Sequence, residues 1–108
     1  MHRILGPGLL ESVYEAALAQ ELSLRSIRCL RQVQVPLIYK GHSLGSWLKL
    51  DLLVEETLLV EVKSVESILP VHKAQLLSYL RLGDLWIGLL INFNEVLLRD
   101  GIRRILNG

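Results

Sequence analysis

The residues of this chain best placed to do chemistry are Asp51, Glu61 and Lys63, set into the stretch from Trp47 to Glu66. Around them run leucines and valines, a composition that suits strands with two buried faces. An Asp and a Glu inside such strands oppose both strand propensity and burial, so a compensating partner is expected. A period of two along a strand puts Glu61 and Lys63 on one face, with Leu58, Val60 and Val62 on the other. Glu55-Glu56-Thr57 reads as the turn of an antiparallel hairpin, and a turn centred on Glu56 sets Asp51 across from Glu61. Two carboxylates so placed repel, and without a partner one is pushed to protonate. A hard divalent cation relieves this, and Mg²⁺ or Mn²⁺ typically takes one or two carboxylates while keeping several waters. Lys63, one strand step beyond Glu61, is then placed to hold a water or an anionic substrate oxygen.

These side chains need elements on either side to position them. Gly6-Pro7-Gly8 breaks the chain and opens a helix predicted from about Leu9 to Arg25, with Leu10, Val13, Tyr14, Ala17 and Leu24 as its core stripe. Glu11 and Tyr14 are neighbours on that helix, and Glu11 also suits the first turn as an acid facing the helix dipole. A first strand is predicted over Cys29–Tyr39, half exposed and near an edge, because Val33, Val35 and Leu37 alternate with Gln32, Gln34 and Pro36. Lys40-Gly41-His42 reads as a turn, with His42 a surface residue lacking a companion ligand. The hairpin strands are predicted over Leu44–Val54 and Thr57–Ser64.

A second helix opens near Leu69-Pro70 and ends at Gly83. Leu76, Leu77 and Leu80 face inward, while His72, Gln75 and Tyr79 share another face at three- and four-residue spacing. Trp86 to Asn92 reads as a buried strand reached by a crossover through that helix. Val96 to Arg99 and Ile102 to Leu106 are then predicted to pair as a terminal hairpin about Asp100-Gly101, with Arg99, Arg103 and Arg104 as a basic edge.

Asp51, followed about ten residues on by Glu61-Val62-Lys63, resembles the core of the PD-(D/E)XK nuclease superfamily. Gly8-Leu9-Leu10-Glu11-Ser12-Val13-Tyr14 is similar to the signature of the GxxExxY family, which is assigned to that superfamily. Similarity extends to Tyr39-Lys40-Gly41-His42, Asp51-Leu52-Leu53-Val54, the segment His72 to Leu80, Asn92-Phe93-Asn94 and Asp100-Gly101-Ile102, and so covers nearly the whole chain. The resemblance implies an α/β, restriction-endonuclease-like fold: a mixed central sheet of about five strands flanked by helices. It implies a catalytic set of Asp51, Glu61, Lys63, Gln75 and Tyr79, with Mg²⁺ or Mn²⁺ held by Asp51 and Glu61 and assisted by Glu11. It also implies nucleic acid, DNA or RNA, as the partner. Members of the family usually carry a further helical segment before His-x-x-Leu-Gly-Pro-Gly, whereas Met1 here directly precedes His2. Either the chain is a short form or its start codon has been placed late; if the segment is absent, apolar surface near Leu5 and Leu9 is expected to be uncovered and to favour a homodimer.

Composition bounds the remaining choices. A chain of 108 residues holds one hydrophobic core, so a single domain over 1–108 is expected, and 51% hydrophobic residues argue against a disordered segment. A net charge of +1 leaves out the broad basic footprint of a typical nucleic-acid binder. Cys29 is the single cysteine, which excludes a disulfide framework and a cysteine-based zinc site. Neither a long apolar span nor a cleavable leader is apparent, so a cytoplasmic protein without a membrane partner is expected. Three functions are compatible with these features: a metal-dependent nuclease, a non-catalytic nuclease-fold module that keeps the carboxylates for stability or assembly, and a dimeric protein that places nucleic acid without cutting it.

Overall fold

The apolar hairpin forms the middle of a five-stranded sheet. The computed structural model describes residues 1–108, in which three helices, α1 (His2–Leu5), α2 (Glu11–Leu24) and α3 (Pro70–Leu82), accompany five strands. The strands are β1 (Cys29–Tyr39), β2 (His42–Val54), β3 (Leu58–Lys63), β4 (Ile87–Asn92) and β5 (Ile102–Leu106), and they lie side by side in chain order. β3 and β4 run parallel because α3 connects them as a crossover, and every other pair is antiparallel. This mixed α/β sheet is the one expected of a restriction-endonuclease-like fold.

Two apolar clusters hold the layers together. Tyr14 of α2 packs with Leu52, Val60, Val62, Ile91 and Phe93, whereas Leu76 and Leu80 of α3 pack with Leu50, Leu59 and Leu90. Leu59 and Val60 are successive residues of β3 and so point to opposite faces, which places the two helices on opposite sides of the sheet. Gly88 lets α3 come close, since a Cβ at that position would lie 3.0 Å from a methyl of Leu76.

One irregularity matters for the site. Val33, Val35 and Leu50 pack on the α3 side, yet Cys29, Leu52 and Val54 pack on the α2 side. Leu50 and Leu52 are two apart and in a regular strand would share a face. The sheet changes face at the step between them, where Gln32 of β1 has a left-handed backbone with φ of 52° and lies opposite Asp51. The kink exposes Asp51 at an opening in the sheet, where regular alternation would bury it among leucines.

The structure corrects three sequence expectations. In α2 the buried face comprises Tyr14 and Glu15 with Leu18 and Ala19 beside them, whereas Leu10, Val13 and Leu24 are exposed by 74, 41 and 70%. Rotation of the helix is set by Tyr14, which stacks on Phe93 with ring centroids 4.7 Å apart and holds the preceding loop through its hydroxyl. The terminal hairpin is replaced by a 3₁₀ turn over Leu98–Gly101, and β5 pairs directly with β4. Gly101 passes so close to Asn92 that a Cβ would lie 2.1 Å from its carbonyl oxygen, and this approach makes residues 96–99 a connection and not a strand. Trp86, expected within the buried strand, is 60% exposed just ahead of β4. His42 opens β2 opposite Tyr39 and is exposed.

Candidate active site

β2 and β3 pair as Leu52 with Val60, Leu53 with Leu59 and Val54 with Leu58. The next pair in that register is Asp51 with Glu61, as the position of the turn predicts. At this point side chains replace the backbone ladder. The Asp51 N–H donates to Glu61 Oε1 at 3.2 Å, and the Val62 N–H donates to Asp51 Oδ2 at 2.9 Å. Each carboxylate thus spends one oxygen on the backbone of the opposite strand. Asp51 Oδ1 keeps a long 3.4 Å contact with the Gln32 amide.

Glu61 is 6% exposed, and its carboxyl is pushed up to about 8, first by burial and then by the charge of Asp51. Asp51 is also raised, by burial above all, while the N–H of Val62 works against the shift. Burial and mutual repulsion thus both favour a proton kept on the pair. No basic side chain neutralises it: the ion pairs are Arg25 with Glu21, Arg28 with Glu56 and Arg31 with Glu15, all elsewhere. Lys63 lies near enough for its charge to favour ionised Glu61, but it makes no ion pair with either carboxylate.

The remaining expected residues gather around this pair to different degrees. Glu11 accepts the Ser64 N–H at 3.3 Å, and the Ser64 hydroxyl donates to Leu9 O at 2.6 Å, so the start of α2 is stitched to the chain just beyond Lys63. Glu11, Glu15, Gln32, Asp51 and Ser64 line one cavity of about 570 Å³, together with Leu9, Leu10, Ser12 and Val62. Tyr79 is half-buried on α3, and its hydroxyl is raised by burial and then by the charges of Glu61 and Asp51. Gln75 lies one turn earlier on the same helix and is exposed. His72 is committed elsewhere: its Nδ1 accepts the Leu69 N–H at 3.0 Å and caps the start of α3.

Sequence reasoning did not single out Glu15, Arg31, Gln32 or Ser64. Glu15 is buried, pairs with Arg31 at 3.0 Å and accepts the Gln32 amide at 2.6 Å. Its spacing of four from Glu11 is the signal that places both on one side of α2. For Gln32 no such signal exists, because its role rests on the left-handed backbone.

No three His, Cys, Asp or Glu side chains are grouped to enclose a metal ion. The donor set that is present consists of two hard carboxylates facing each other across β2 and β3. That set fits a divalent ion such as Mg²⁺ or Mn²⁺, which accepts one or two protein carboxylates and completes its shell with water. No helix is long and apolar enough to cross a membrane. Compared with known protein families, residues 1–105 match the PD-(D/E)XK nuclease superfamily. Neither the curated proteins nor the solved structures yield a match.

Proposed function

The chain belongs to the PD-(D/E)XK nuclease superfamily, and from that premise we propose that it is a metal-dependent phosphodiesterase acting on nucleic acid, of the GxxExxY type. The observation that carries this reading is the Asp51–Glu61 pair, two carboxylates joined across β2 and β3, with Glu61 buried, Asp51 half-buried and neither in an ion pair. A structural pair has reason to recruit a nearby arginine, and Arg31 instead serves Glu15.

Asp51 and Glu61 would hold the Mg²⁺ or Mn²⁺, and Glu11 would assist through water from the cavity that it lines with Asp51. Such an ion would supply a water of lowered pKa and Lewis-acid polarisation of a phosphoryl oxygen. Lys63 positions the attacking water and offsets developing negative charge. Gln75 and Tyr79 orient the substrate from α3. A second reading is favoured by one feature: each carboxylate accepts a backbone N–H, so the pair also joins β2 to β3 without any ligand. In that reading the chain is a non-catalytic module.

Cleavage of labelled single- and double-stranded DNA and RNA in Mn²⁺ separates the two, with EDTA and a Lys63→Ala preparation in parallel. The nuclease reading predicts cleavage that requires both metal and Lys63, with Lys63→Ala still taking up Mn²⁺. Turnover that survives in Lys63→Ala removes Lys63 from the mechanism, and no cleavage of any substrate leaves the non-catalytic reading.

A further inference from the structure

The long β1–β2 arm carries a charge pattern that the site itself lacks. All eleven acidic residues of the chain lie outside residues 29–50, whereas Arg31, Lys40 and Lys49 fall inside that stretch with His42. Two aromatic side chains stand out from the same arm, Tyr39 and Trp47, which are 60 and 59% exposed. The Lys40 ammonium lies 5.4 Å from the centre of the Tyr39 ring.

The arm runs directly into the site. Trp47 pairs with Pro36, and Lys49 with Gln34. Their neighbours Leu50, Val33 and Val35 pack on the α3 side, so Trp47 and Lys49 project from the opposite face. That face leads along β2 to the Gln32–Asp51 step and to the cavity that Asp51 lines. At the rise of an extended strand, Lys49 and Trp47 stand about 7 and about 13 Å from Asp51. The cavity itself is acidic, with Glu11, Glu15 and Asp51 on its wall, and repels a polyanion, so the affinity has to come from outside it.

We propose that the β1–β2 arm is the substrate-holding surface of the site and that it takes single-stranded nucleic acid, with a base stacked on Trp47 and the backbone phosphates beside Lys49. Lys40 lies at the tip of the arm, where alternation along β1 puts Tyr39 on the face opposite Trp47. The inference rests on the nuclease reading for its link to Asp51, but the binding itself does not require cleavage. A single strand suits the arm because its base faces are free to stack, whereas a duplex hides them. The arm carries no acidic side chain to repel the phosphates, and Lys40 and Lys49 are its cations outside an ion pair.

The test is fluorescence anisotropy with short labelled oligodeoxythymidine, oligouridine and a DNA duplex, in EDTA so that nothing is cut. Wild-type protein binds the single strands more tightly than the duplex, and affinity falls with salt. Trp47→Ala weakens single-strand binding by about 5- to 150-fold, the range expected for one lost base stack. Lys49→Ala lowers the slope of log affinity against log salt by about 0.7. Trp86→Phe, which removes the other exposed indole, leaves both quantities unchanged. Trp47 is exposed, so unchanged thermal melts confirm that its replacement leaves the fold intact. Comparison of the deoxy and ribo strands distinguishes DNA from RNA as the source of the ligand.

Absence of oligonucleotide binding by the wild type overturns the proposal, as does equal affinity in Trp47→Ala. A dimer seen in sedimentation that Trp47→Ala dissociates, with oligonucleotide affinity unaltered, makes the arm a protein interface instead. Binding in EDTA without any cleavage in Mn²⁺ keeps the arm and removes the nuclease reading. Cleavage combined with an indifferent Trp47→Ala does the reverse.

Discussion

Burial and the adjacent Asp51 both push the Glu61 carboxyl towards keeping its proton. Its carboxyl sits at about 8 in the fold against an ordinary 4.5, because burial and the adjacent Asp51 both disfavour its charge. Between those two values the folded chain binds more protons than the unfolded one, so the stability this group contributes is complete below about 4.5 and is lost as pH rises through about 8. Thermal melts of the ion-free protein are expected to show a falling melting temperature across that window. Glu61→Gln should flatten the profile and raise the melting temperature at about pH 9, by roughly 4–8 °C for each kcal/mol of repulsion relieved. The glutamine keeps an oxygen for the Asp51 N–H. An unaltered pH profile in that variant would place the proton elsewhere. The pairing of Asp51 with Glu61 was legible in the sequence, because two charges in apolar strands around a short turn leave one register. Gln32 was not, since a glutamine in the left-handed region is set by its surroundings and not by its own preference.

Among the elements, the start of α2 shows what Gly8, Glu11 and Tyr14 do together. Gly8 turns the chain at φ of 92°, a conformation that side chains other than glycine rarely adopt. Glu11 then ties the helix to Ser64 beyond β3, and the Tyr14 hydroxyl donates to Gly6 O while accepting the Leu9 N–H at 3.1 Å. The helix is thereby locked beside the end of the strand that carries Glu61 and Lys63. Tyr14→Phe keeps the stack on Phe93 and removes both hydrogen bonds, so it is expected to cost about 1–3 kcal/mol in denaturant unfolding. A neutral result would mean that the loop is held by Ser64 alone. The spacing of the motif was legible, but the buried face of α2 was not. Leu10, Val13 and Leu24 have the right spacing for a core stripe, yet the helix carries more apolar residues than the sheet can cover, and Tyr14 decides which of them face inward. The same limit applies to Val96, Leu97 and Leu98, whose apolar run reads as a strand although the close approach at Gly101 makes it a connection.

At the scale of the whole molecule, the two helices clamp the sheet from opposite faces while β2 and β3 separate at the Asp51–Glu61 pair. The β2–β3 hairpin and the helix that links β3 to β4 were legible from hydrophobic runs, from the turn at Glu55-Glu56-Thr57 and from Pro70 and Gly83. The change of face at Gln32 was not, and it is this change that opens the cavity on which Glu11 and Asp51 converge. On the proposed reading this opening takes a divalent ion. Isothermal titration of Mn²⁺ tests it most directly, run at about pH 7 in buffers of different ionisation enthalpy so that proton release is counted with binding. The account predicts one ion per chain, displacement of about one proton at that pH as Glu61 ionises, and loss of both signals in Glu61→Gln. Mn²⁺ uptake that is undiminished in Glu61→Gln, or no uptake by the wild type, would contradict it.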